Sequence, residues 1–195
     1  MDCHTPAVGM PQLPRNLQWE KEGICYLGVY IGTPTIMAKN WLNTVYKIDN
    51  RLEKWRGILL TLSYRGHALM INNLLGSLWH KMIALHPPEA LLLTIQKHLL
   101  DFFWGGKHWV KPEVLYLPLA DSGHGFIDIL SRLMAFRLAT VHRFLFSASL
   151  PWHHTANHLL KMAGMLNFNQ KLFLMDLQHV DIFPLPLFYQ DLLQA

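Results

Sequence analysis

Three groups of residues in this chain have the types and spacing to do chemistry. Lys47, Arg51 and Lys54 recur at steps of four and three, with Arg65 close behind. On a helix they fall within about 60° of one another, and a cationic arc of that kind suits phosphate. His153, His154 and His158 include the i, i+4 spacing at which two imidazoles can share a zinc ion. The stretch "LLDFFWGGKHWV", residues 99–110, runs Phe102, Phe103 and Trp104 into two glycines, then Lys107, His108 and Trp109. It has the composition of a base-stacking platform, and equally that of a buried helix end.

Other chemistries find little support. "DSGHGF" has two glycines but no following lysine-serine pair, so it is not a phosphate loop. The acids are dispersed, with no two spaced to hold a catalytic metal. No glutamate or cysteine accompanies the histidine cluster, which favours a surface or capping role. Only Cys3 and Cys25 are present, leaving no disulfide framework. The N-terminal "MDCHTPAVGMPQLPRN" has no apolar signal core, and no apolar run approaches the roughly 18 residues that span a bilayer. The expectation is a reduced, intracellular chain in nucleus or cytoplasm, neither secreted nor membrane-bound, with no cofactor.

The 195 residues suit one domain, or one domain with an appendage. Charged residues make up only 15%, against about 25% in an ordinary soluble domain, while hydrophobic ones reach 51%. Two readings stay open: a piece that packs against something else, or a compact Leu-rich helical domain. The net charge of +4 lies wholly between Lys39 and Arg65, where six basic residues meet two acids.

The elements that must position these groups are mainly α. We expect an irregular segment over 1–23, a hairpin over 24–35, a helical region over 36–112 and a helical C-terminal region over 113–195. Leu42, Val45, Ile48, Leu52 and Trp55 mark the inner stripe of a helix from Lys39 to Arg56, which Gly57 breaks. Ser63 caps one helix over 64–85. Pro88 opens a third, which Gly105 and Gly106 stop in the manner of a left-handed cap. Trp104 then belongs to a buried helix end, and Lys107 and Trp109 lie beyond it. Trp41, Trp55, Trp79, Trp104 and Trp109 read as core. A short extended segment around 113–127 leads through a Gly-rich turn into a helix over 130–146, and shorter helices follow.

Taken in order, "LPRNLQWEKEGICYLGVYIG", "NWLNTVYKIDNRLEKWRGILLTLSYRGHALMINNL", "LHPPEALLLTIQKHLLDFFWGGKHWVKPEVLYLPLADSGHGFIDI" and "RLMAFRLATVHRFL" resemble consecutive parts of one protein type. The resemblance, over residues 11–146, is to the region after the catalytic palm in reverse transcriptases of LINE-type, non-long-terminal-repeat retrotransposons. It implies a primer-grip hairpin at Tyr26, Leu27 and Gly28, and a helical thumb tracking the template–primer duplex. The family's arginine after "SYRG" is His67 here. The resemblance also implies that the polymerase carboxylates lie upstream of this segment, so the chain is expected not to polymerise, since two-metal phosphoryl transfer needs them. Its expected partners are RNA or an RNA–DNA hybrid, bound by Lys47, Arg51, Lys54 and Arg65. The missing palm, or another protein, would cover exposed apolar surface. The alternative is an interaction or structural remnant with no nucleic-acid role.

Overall fold

The computed structural model describes residues 23–42, 44–59, 61–163 and 170–195. The irregular segment expected over 1–23 falls outside these, apart from Gly23. The chain divides into two compact units, residues 1–40 and 41–195.

In the first unit β1 (Gly23–Tyr26) and β2 (Val29–Gly32) form an antiparallel hairpin, with Tyr26 opposite Val29. Leu27 and Gly28 make the two-residue turn, with φ of 48° and 78°. Positive φ at both positions is the primed turn that matches strand twist. Residues 34 and 35, expected within the hairpin, instead begin α1 (Pro34–Ala38). Pro34 sits at its first position, where a missing N–H costs nothing. The amide of Asn40 closes the unit, accepting from the Tyr30 N–H at 2.8 Å and donating to the Tyr30 carbonyl at 2.7 Å.

The second unit is helical. α2 spans Thr44–Leu59, starting later than the stripe suggested and running through Gly57 without a break. A lone glycine costs a helix only about 1 kcal/mol relative to alanine, too little to end one that packs well. Ile48 and Leu52 are buried, but Leu42 precedes the helix and is 65% exposed. Trp55 is 39% exposed and Trp109 69%, so these two tryptophans are not core. Trp41, Trp79 and Trp104 are half-buried against it.

The single helix expected over 64–85 is two, α3 (Tyr64–Leu74) and α4 (Gly76–Ala84), hinged at the buried Leu75. Ser63 caps α3, its hydroxyl accepting from the Gly66 N–H at 3.3 Å. α5 (Glu89–Trp104) follows Pro88 and ends at Gly105, with φ of 62°. The Gly106 N–H donates to the Asp101 carbonyl at 2.9 Å and the Gly105 N–H to Phe102 at 3.3 Å. These are the paired bonds of a Schellman ending. The stretch over 99–110 is therefore a helix end as far as Trp104. Lys107 and Trp109 lie outside it.

No strand forms over 113–127. Residues Pro112–Tyr116 make a short α6 with its proline at the start. The chain then folds back, and the Phe126 N–H donates to the Leu115 carbonyl at 3.0 Å. Two side-chain amides do the work of a sheet partner. Asn72 of α3 bonds the Gly125 carbonyl and the Ile127 N–H, and Gln96 of α5 accepts from the Ile129 N–H. Backbone groups that close to a core need partners, and here they are polar side chains.

α7 (Ile129–Phe146), capped by Asp128, then links two apolar cores. One gathers α2 to α5 with Leu115, Phe126, Ile129 and Leu133. The other gathers Phe144 with Ala156 and Leu160 of α8 (His153–Leu160), and with Leu172 and Leu185. α9 (Leu187–Gln194) packs on α7.

Candidate nucleic-acid interface

α2 lies between α3 and α5, so its buried stripe of Ile48 and Leu52 leaves two free flanks. Lys47, Arg51 and Lys54 occupy one flank, all exposed. The two acids of the charged window lie on the other and are engaged. Asp49 meets the His98 Nδ1 at 2.9 Å, and Glu53 meets the Arg56 Nε at 2.7 Å. Lys47 and Lys54 have no ion-pair partner among the described residues.

Arg51 differs from its neighbours. Its guanidinium donates to the Ser77 hydroxyl at 2.7 Å and to the Leu74 carbonyl at 3.2 Å. It ties α2 to the hinge between α3 and α4, and some of its donors are already committed. Arg65 stands exposed in the first turn of α3, beside Tyr64. Tyr26, Leu27 and Gly28 lie at the hairpin tip in the other unit, with Tyr26 64% and Leu27 74% exposed.

A cleft of about 400 Å³ opens between α2 and α5 on the acidic flank, lined by Asp49, Glu53, Arg56, His98, Asp101 and Phe102. Its charges are mixed, and among the described residues no three histidine, cysteine, aspartate or glutamate side chains converge on a metal position. The three histidines of the cluster do not converge on such a position either. The half-buried His153 ring stacks on Phe144 at 4.7 Å and meets His154 edge-on at 6.3 Å, while His154 and His158 are exposed.

Two features escaped sequence reasoning. Arg137 is buried at 1% exposure, donating to the Met82 carbonyl at 2.9 Å and the Leu85 carbonyl at 2.7 Å. The Met82 carbonyl belongs to the last turn of α4, where a cation meets the negative end of the helix, and Leu85 is the residue that follows that helix. Asp191 of α9 stands 3.5 Å from the same guanidinium and also bonds His86, and Phe188 lies under it at 4.4 Å. Burial pushes the guanidinium's pKa down, and the Asp191 charge opposes that shift. The signal was present: Ile129, Leu133, Arg137 and Phe144 fall on one apolar stripe of α7.

The second feature is a ring cluster. Phe103 touches Tyr64, His67, Trp104, His124 and Phe126 at centroid distances of 4.9 to 6.0 Å. Three separate sequence segments, "SYRGH", "DFFWGG" and "DSGHGF", thus meet around one phenylalanine. His67, the residue that takes the place of an arginine in the resemblance, packs on that ring. Nothing in their spacing announced this.

No helix among the described residues is long and apolar enough to cross a membrane. No family model matches the chain, and no solved structure matches it. It is 35% identical over 191 residues, 95% of its length, to the transposon TX1 uncharacterized 149 kDa protein of Xenopus laevis, of which it spans 15%. A chain whose helices carry one cationic flank is thus related to a single segment of a much larger transposon protein.

Proposed function

We propose that the chain is the segment after the catalytic palm of a LINE-type reverse transcriptase, and that it binds template–primer nucleic acid without regard to sequence. The observation carrying this is the flank of α2, where Lys47 and Lys54 stand exposed with no ion-pair partner among the described residues, and both nearby acids are turned away and paired. Cations so arranged meet phosphates and release condensed counterions. The relationship to a transposon protein supports the origin. In this reading Arg65 extends the same surface and the hairpin residues Tyr26, Leu27 and Gly28 meet the primer. Polymerisation belongs to a palm elsewhere in the parent protein, so primer extension by the purified chain with Mg²⁺ would overturn the assignment.

The test is affinity for an RNA–DNA hybrid at two salt concentrations. Replacing Lys47 and Lys54 with alanine should weaken binding and lower the salt slope by about 0.9 for each phosphate no longer neutralised. The exposed Ile24, Tyr26, Leu27 and Ile31 of the hairpin favour a second reading, a protein-interaction remnant. Identical behaviour of the two proteins, or no binding at low salt, decides for it.

A further inference from the structure

We infer that Tyr64 is a stacking site for an unpaired nucleotide, adjoining Arg65 and separate from Lys47 and Lys54 on the α2 flank. The inference rests on the reading that the chain binds nucleic acid. Tyr64 is half exposed, at 50%, although four rings surround it: Trp104 at 5.5 Å, Phe103 and His67 at 5.8 Å and His124 at 6.3 Å. These neighbours hold the ring in place. None lies parallel to it, the interplanar angles running from 38° to 83°, so flat stacking is unused among the described residues. An exposed apolar ring in a fixed position loses little entropy when a flat partner arrives.

The surroundings specify that partner. Arg65, the next residue, is exposed, and a guanidinium beside a stacking ring suits the phosphate of the stacked nucleotide. Inside a duplex both faces of each base are covered by neighbours, so a single ring can stack only on an unpaired or terminal base. Stacking on one tyrosine reads no base edges, and it tolerates any sequence. Three segments noted in the sequence converge beneath Tyr64, so the ring cluster acts as its support.

The probe is a short oligothymidylate carrying one 2-aminopurine, whose fluorescence is quenched by stacking, alongside a labelled RNA–DNA hybrid. Wild type should quench the 2-aminopurine. Tyr64→Leu should lose the quenching and about tenfold in single-strand affinity while holding the hybrid as wild type does, which also shows that it folds. Tyr64→Phe should restore both. Replacing Lys47 and Lys54 with alanine should do the reverse, weakening the hybrid while quenching persists. Quenching that survives Tyr64→Leu, or is absent from wild type that binds the hybrid, overturns the stacking site alone. An equal fall in hybrid and single-strand affinity for Tyr64→Leu overturns it too. Quenching without hybrid binding overturns the duplex reading and leaves Tyr64 standing. Binding of neither overturns both.

Discussion

Arg137 sits where the pattern of α7 calls for an apolar side chain, and its surroundings explain why it is tolerated. The Met82 and Leu85 carbonyls, the Asp191 carboxylate and the face of Phe188 replace the water it loses. Removing one member of such a set is worse than never having built it, because the others stay buried without partners. Arg137→Met should therefore cost about 3–5 kcal/mol in urea unfolding. Lys47→Ala, on an exposed flank, should stay within about 0.5 kcal/mol. A loss under about 1 kcal/mol for Arg137→Met would mean that the guanidinium is not what holds α9 to α7. Trp55 makes the opposite case. Its spacing suited a core position, but at 39% exposure its replacement by alanine should cost less than the about 3 kcal/mol of a buried tryptophan.

Glycines separate elements by what their backbones require. Gly57 lies inside α2 with nothing within 4 Å of where a Cβ would sit. Gly57→Ala should raise stability by about 0.5–1 kcal/mol, since only backbone entropy changes. Gly105→Ala should lower it by about 1 kcal/mol, because φ of +62° disfavours a Cβ even in open space. Gly123→Ala should be the worst, with its Cβ overlapping the Leu117 carbonyl oxygen. Thermal melts of the three variants check this order. The same contrast shows what the sequence could reveal. Local chemistry was legible: the Ser63 cap, the Gly105–Gly106 stop, the hairpin and the starts of α5 and α7 all follow from neighbouring residues. The break at Leu75, the continuation through Gly57 and the fold-back over 115–126 were not. Each depends on groups far along the chain, such as Asn72 and Gln96 for the fold-back. At the candidate site, spacing placed Lys47, Arg51 and Lys54 on one flank. It could not show that Arg51 is bound to Ser77 or that Tyr64 stands on a cluster of rings.

At the scale of residues 41–195, two cores share α7, and each has a tyrosine at its edge. Tyr116 packs against the first and Tyr189 against the second. Both phenols have pKa values pushed up, by burial first in each case. For Tyr116 the charges of Asp128 and Glu113 add to the rise, while the bond from Gln96, 3.1 Å long, opposes it. A raised phenol pKa means that the folded chain holds its proton more tightly than the unfolded chain does. The stability this gives is complete below the unfolded value near 10 and is lost as pH climbs through the higher folded values. Melting temperature should therefore fall steeply above about pH 10. Tyr116→Phe removes one ionisable group from the first core and keeps its ring, so the fall should become shallower, and Tyr189→Phe should act likewise on the second. If the cores unfold together through α7, each substitution should reduce the slope of one shared transition. If they unfold separately, Tyr116→Phe should flatten only the transition reported by the ring cluster around Phe103, leaving the Phe144 core as alkali-sensitive as before.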